Sequence, residues 1–285
     1  MVQQAHYNVL SKRGQRVNLR LIRHVVALVL LVTLADACLF VALVIKPFSE
    51  PLSWSIACWT AERFWGYMQH HWSTSLNAGP AIHVTGDLIP RNESAVVISN
   101  HQTYADYYLV QALSGPAGML GRCRYFVKKE VVWQIPLFGW AFWAIGMILV
   151  SRRWTNDARL IERAFARVKR NAHGVWIVLY PEGTRKTSNK LLKASLRDSH
   201  VRYLYDLTFL YVCPGKEPRV PSYAEQLCRA DLAAAGYEYH VHVRRIAMSD
   251  LPQDENALKE WCEAAWVEKD KRLGEMMRHA GVAGL

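Results

Sequence analysis

The sequence predicts an α/β fold, a central mixed β-sheet flanked by helices, preceded by an N-terminal membrane helix or helical hairpin. Three observations predict it. A run of 21 residues, Val25 to Ile45, is apolar but for Asp36. After residue 72, short β-branched runs alternate with stretches of helical period, the pattern of a sheet covered by helices. Two polar clusters, at 100–106 and 180–186, each follow a strand-like run directly and so sit at strand ends.

The apolar run spans about 30 Å at helical rise, the thickness of a hydrocarbon core. Lys12, Arg13, Arg16, Arg20 and Arg23 precede it and Lys46-Pro47 ends it. It is too long for a signal-peptide core, and no small-residue cleavage site follows. Residues 51–72 mix Trp, Phe and Tyr with Glu62, Arg63 and two histidines, as in a second helix at the interface or a re-entrant one. Asp36 is costly in lipid unless it meets a partner, and this second helix is the expected one. The positive-inside rule puts the N-terminus in the cytosol. A single span would leave the rest of the chain on the far side, whereas a hairpin would bring it back.

Beyond the anchor, Ala81–Thr85, Ala95–Ser99, Arg124–Lys128, Gly146–Val150 and Val175–Tyr180 read as strands, and 101–113 as a helix. Thr155 caps a further helix with Asp157 in its first turn; Ala158, Ile161, Phe165 and Val168 share one face, and it ends near Gly174. The uncharged run at 131–150 is interrupted by Pro136, Gly139 and Gly146. It is expected to form a bent apolar segment lining a site or lying on the membrane, not a second span. The expected organisation is an anchor at 1–72, a catalytic domain at 73–215 that is short after residue 185, and a C-terminal strand and helical tail at 216–285.

A net charge of +11 suits anionic lipid, a phosphorylated substrate or nucleic acid. No zinc-finger, helix-turn-helix or RNA-binding signature accompanies it, so nucleic acid is not expected. The 11 Trp and 13 Tyr suit a surface that is part apolar and part wet. The six cysteines include no C-x-x-C pair, which argues against a zinc site or a disulfide framework and for a reducing compartment. His70-His71 and His240-x-His242 have no cysteine or carboxylate in ligand spacing, and no metal is expected.

The first polar cluster, Asn100-His101-Gln102-Thr103-Tyr104-Ala105-Asp106, places a histidine and an aspartate five apart at a strand-to-helix turn. Joined by a hydrogen bond, the carboxylate would set the imidazole tautomer and stabilise the imidazolium. No G-x-S-x-G elbow or cysteine in a nucleophile context completes a triad, so the nucleophile would be a hydroxyl of the substrate. In the second cluster, Tyr180-Pro181-Glu182-Gly183-Thr184-Arg185-Lys186, Gly183 permits close backbone approach and Arg185 offers a planar fork for phosphate.

With N-H-x-x-x-x-D followed by P-E-G-T-R, the chain resembles the PlsC-like glycerolipid acyltransferases. The likeness is greatest to the branch acting on lysophosphatidate, lysocardiolipin and lysophosphatidylinositol. It extends over the Gly86–Pro90 turn, the segments at 126–140, 148–157, 204–211 and 239–246, and the Trp261…Trp266…Glu268-Lys269-Asp270 tail. The resemblance implies an acyltransferase-like fold and acyl-CoA as donor substrate, with no other cofactor. It implies a lysophospholipid acceptor and a membrane location, first the endoplasmic reticulum, with a mitochondrial membrane as the alternative. It further implies His101 as base, Asp106 as its orienter, and a phosphate site from Glu182, Gly183, Thr184 and Arg185. Arg152 would join in holding phosphate, and Lys128 would stand on the lip of the apolar site. One departure is plain: Arg185 and Tyr205 are only 20 positions apart, and the strand that this branch carries between them is missing. A lipid-binding protein of the same fold with little or no activity, and an acyl-CoA thioesterase, are therefore the competing readings.

Overall fold

The computed structural model describes residues 2–71, 79–103, 105–134, 139–150, 174–180, 201–222 and 231–282, and single positions at 166 and 225; at 2–21, 24, 71 and 131 it describes the backbone alone. The expected helix after Thr155, but for position 166, and the segment 186–200 lie outside these residues.

Helices α1 (Val2–Ile45) and α2 (Glu50–His71) form an antiparallel hairpin. The chain reverses at 46–49, where the Ser49 hydroxyl accepts from the Leu52 amide at 3.3 Å and Pro51 occupies the first turn of α2, where its missing N–H is harmless. Val32 and Ala35 pack against Phe64, flanked by Leu31, Trp65 and Met68. Among the described residues, Val25–Ile45 is the one helical stretch long and apolar enough to cross a membrane. Only 22% of its most apolar window is buried, unlike the core helix of a soluble domain.

The hairpin is also built into the rest of the protein. Gly121, in a 3-10 turn at Leu120–Arg122, lies directly under α2; a Cβ there would stand 2.2 Å from the Cys58 carbonyl oxygen. Arg124, 2% exposed, donates to the Gly121 and Cys123 carbonyls at 3.0 and 2.9 Å and to Cys58 Sγ at 3.0 Å. Its guanidinium also sits 4.4 Å from the centre of the Trp54 ring.

The sheet has seven strands in the order β1-β7-β6-β2-β5-β3-β4. They are β1 (Ala81–Gly86), β2 (Ala95–Ser99), β3 (Cys123–Lys128), β4 (Ile148–Val150), β5 (Trp176–Leu179), β6 (Tyr203–Val212) and β7 (Glu238–Ala247). From β6 to β4 all neighbours are parallel, while β7 runs antiparallel to β6 and carries β1 beside it, making the sheet mixed. β2 is buried along its whole length, which is why it reads as an unbroken apolar run; β7 is half-buried and alternates.

One face packs under α2, α3 (Ala105–Ser114) and α5 (Gly139–Ala144), with Val97, Trp176, Tyr205 and Phe209 in the core. The other face packs under α6 (Glu255–His279), whose Leu258 and Cys262 meet Val96, Ile177 and Leu204. Asp254 caps α6 by accepting from the Asn256 and Ala257 amides, both at 3.0 Å. Lys269, 3% exposed, lies 2.5 Å from the buried Asp206 carboxylate and donates to the Leu207 carbonyl at 2.6 Å, pinning α6 to β6.

Three expectations are refined. The helix after β2 starts at Ala105, because the residues before it wrap around the Asp106 carboxylate. The run at 131–150 is not a span: it contains α4 (Val131–Gln134), α5, a turn at Gly146 with φ 85° and β4. The side chain in reach of Asp36 is Trp140 on α5, not a residue of α2. β6 takes the place directly beside β2, and β5 is paired on both sides, so the short connection leaves no open edge inside the sheet.

Gly121→Ala should lower stability by roughly 1–3 kcal/mol, the usual cost of overpacking, and raise labelling of Cys58 by a maleimide. Denaturation and labelling rates in detergent check this; wild-type values in both would show that α2 is not held at this contact.

Candidate active site

In open α/β sheets ligands bind beyond the carboxyl ends of the parallel strands. Here β2 ends at Ser99 and β5 at Leu179, and the register sets Ile98 opposite Leu179 and Ser99 opposite Leu207. The residues that follow β2 and β5 are Asn100-His101 and Tyr180, so two segments far apart in sequence leave the sheet side by side.

Asn100 is 6% exposed, and its amide acts as one more rung of the ladder. It donates to the Phe209 carbonyl and accepts from the Phe209 amide, both at 2.8 Å. The exit of β2 is thereby tied to β6, and His101 starts from a fixed point.

Asp106, in the first turn of α3, is wholly buried. Its Oδ2 accepts from the Gln102 amide at 2.7 Å, the Thr103 amide at 3.0 Å and His101 Nδ1 at 2.7 Å. Its Oδ1 accepts from the Tyr211 hydroxyl. Burial holds the Tyr211 phenol well above its ordinary pKa, so it stays a donor. A charge taken out of water needs such partners, and the helix N-terminus adds a further favourable field. An ionised carboxylate can only accept, so the proton on His101 sits at Nδ1 and the Nε2 lone pair is available.

The imidazole is held by its rings as well. It stacks on Tyr180 at 4.4 Å between centroids with planes 23° apart, and the edge of Tyr107 meets it at 5.9 Å. Tyr107 in turn contacts Tyr125 and Tyr180 at 5.1 and 5.2 Å. The His101 side chain nevertheless remains 40% exposed, so the group is rigid yet reachable. Burial pushes the Cys123 thiol up to about 11 and the Cys262 thiol up to about 12, which leaves neither as a thiolate nucleophile near neutral pH. What is assembled is a base with its orienting carboxylate, suited to taking a proton from a group brought from outside.

Among the other candidates, Lys128 lies at the end of β3, half-exposed, with Glu130 at 3.9 Å. Arg152, Glu182, Gly183, Thr184 and Arg185 lie outside the described residues. Of the candidates, then, His101 and Asp106 are the pair brought together. The sequence offered no sign of Tyr211, which reaches Asp106 from 105 positions away, nor of the ring contacts of Tyr107 and Tyr125. Tyr180 and Asn100 stood inside the two clusters, but their partners could not be read.

Two family models match the chain, one for acyltransferases over residues 81–214 and one for the acyltransferase C-terminus over 232–279. The chain is 29% identical to an uncharacterized acyltransferase of Schizosaccharomyces pombe, over 67% of its own length and 62% of that protein. It is 28% identical to 1-acyl-sn-glycerol-3-phosphate acyltransferase 3 of Arabidopsis thaliana, over 81% of its length and 67% of that protein. It is 28% identical to 1-acyl-sn-glycerol-3-phosphate acyltransferase epsilon of Mus musculus, over 69% and 62%. The matched stretch thus covers less than two thirds of the yeast and mouse proteins.

Asp106→Asn should keep the tautomer, because the Gln102 and Thr103 amides already donate at the Oδ2 position and hold the amide oxygen there to accept from Nδ1–H, while the amide nitrogen turns to the Tyr211 hydroxyl. Nitrogen-resolved NMR of labelled histidine should still show the Nδ1–H form; a switch to Nε2–H would refute the assignment. Tyr211→Phe should keep the tautomer and cost about 1.5–3 kcal/mol in denaturation, the range for a lost hydrogen bond to a charged group.

Proposed function

The chain belongs to the acyltransferase family, and on that premise we propose that it is an acyl-CoA-dependent O-acyltransferase acting on the free hydroxyl of a lysophospholipid, 1-acylglycerol-3-phosphate or a near relative. The observation that carries the proposal is the His101–Asp106 pair, oriented and partly exposed, with no nucleophile of the protein's own beside it among the described residues. The acceptor class rests on the names of the Arabidopsis and mouse relatives.

In the proposed reaction Nε2 of His101 takes the proton of the acceptor hydroxyl as its oxygen attacks the thioester carbonyl. The tetrahedral adduct collapses with cleavage of the C–S bond, and the imidazolium returns the proton to the departing thiolate. The products are the diacylated lipid and free CoA. Asp106 stabilises the transient imidazolium without taking the proton. General base action of this kind contributes about 10²–10⁴ in rate, and holding hydroxyl and thioester together supplies a further large share. Arg185 and Arg152 would hold the acceptor phosphate, joined by Glu182, Gly183 and Thr184, which follow β5 in sequence, with Lys128 at the lip.

The α1–α2 hairpin supports a membrane setting. By the positive-inside rule the basic residues before the apolar run favour a cytosolic N-terminus, and a hairpin would return the sheet to that same side. The endoplasmic reticulum is the proposed membrane.

Labelled acyl-CoA incubated with lysophosphatidate and the purified protein should place label in phospholipid. His101→Ala should lower that rate by about 10²–10⁴ while leaving the protein folded and membrane-bound. Label released as free fatty acid would instead indicate a thioesterase, and no turnover at all a lipid-binding protein. Arg185→Ala and Arg152→Ala should raise the KM for the acceptor more than that for acyl-CoA. Arg185→Lys should restore only part, since an ammonium cannot replace a bidentate fork.

A further inference from the structure

On the sheet face covered by α6, at the β1 edge, lies a group of side chains that the acyl-transfer reading does not use. Parallel pairing of β1 with β7 sets His83 opposite His240 and Thr85 opposite His242. Because side chains alternate along a strand, Glu238, His240 and His242 point to one face. The register with β6 identifies that face: Glu238 stands opposite Val212, His240 opposite Leu210 and His242 opposite Thr208. Leu210 and Val212 pack under the C-terminal end of α6, against Leu273, Met276 and Met277.

The His83 and His240 rings lie face to face, 4.8 Å between centroids and 25° between planes. Glu238 Oε2 is 3.3 Å from His240 Nε2, while its Oε1 accepts from Lys216 at 2.7 Å. One donor atom from each of His83, Glu238 and His240 falls within 4.8 Å of the others. His83 is exposed and the other two are half-buried, so the group opens to solvent. The sequence pairs His240 only with His242, which left the donor set incomplete; the strand register supplies His83, and Glu238 comes from two places earlier on the same strand.

We propose that His83, Glu238 and His240 form a binding site for a divalent metal ion of the zinc class, clipping the edge strand β1 to β7. Two imidazoles and a carboxylate are the donors of zinc, copper(II) or nickel(II), whereas magnesium and calcium require oxygen-rich shells. Zinc–nitrogen bonds of about 2.0–2.1 Å place tetrahedral donors roughly 3.3 Å apart, so the side chains close in on the ion from their present separations of up to 4.8 Å. Water completes the shell on the open side. Lys216 competes with the ion for Glu238 through its contact at 2.7 Å. The clip has a structural purpose: β1 follows the anchor hairpin in the chain and, among the described residues, is paired on one side only.

The test is calorimetric titration of zinc chloride into the full-length protein in detergent, first stripped with a chelator. Hydrogen exchange of residues 81–86 is followed with and without zinc. One saturable site is expected, with slower exchange of β1 when it is filled. His83→Ala and His240→Ala should each weaken binding by roughly tenfold or more, and Lys216→Met should tighten it. Absence of saturable binding would overturn the proposal, as would binding that both histidine variants retain, since other histidines would then be the ligands. His83 lies on an exposed strand face, so its variant keeps the fold and decides the matter even if His240→Ala fails to fold.

Discussion

The carboxylate of Asp106 is the point on which the rest of the site depends. A buried negative charge without donors would cost several kcal/mol, so the surrounding chain has to turn toward it. Two backbone amides do so by curling residues 102 and 103 around it, which delays the start of α3 to Ala105. His101 does so with Nδ1, and the available Nε2 follows from that bond. Tyr211 does so from the middle of the sheet, which makes the position of β6 a condition for the geometry of a residue after β2. The bond between Asn100 and Phe209 enforces the same adjacency one step earlier in the chain. Base, turn and sheet are therefore one cooperative unit.

The same coupling extends to the anchor. An N-terminal hairpin held only by lipid would leave the sheet domain free to tumble. Here Arg124 crosses the boundary, satisfying carbonyls of its own segment while touching Cys58 and Trp54 of α2. Gly121 allows the helix to come that close. Gln69 adds a bond to the Tyr108 carbonyl on α3 at 3.1 Å, within the helix that begins with Asp106. The orientation of the site relative to the apolar hairpin is thus set by direct packing.

Much of this was legible in the sequence. The apolar run, the strand positions and the His–Asp spacing are local features, and local period or spacing is enough to read them. What escaped is what only register creates. Tyr211 reads as an ordinary apolar-strand tyrosine until β6 is laid beside β2. His83 reads as a lone surface histidine until β1 is laid beside β7. Asp36 was matched with the nearest helix in sequence, although its neighbour Trp140 comes from a bent segment about a hundred residues later. The short link before Tyr203 suggested a gap because strand order cannot be counted from linker length; β6 closes the sheet next to β2.

The placement of β1 against β7 also governs when this protein can finish folding. The two strands lie at opposite ends of the sheet domain in sequence, yet are adjacent in space. During synthesis β1 emerges soon after the hairpin, but its partner β7 emerges only about 150 residues later. Contacts of such high sequence separation form late and slowly. Until then β1 presents unpaired backbone groups, a state open to wrong pairing. β2 waits in the same way for β6, and with it Asp106 waits for Tyr211. A chain arrested or truncated before residue 211 would hold the His–Asp sequence without the Tyr211 hydroxyl that supports it.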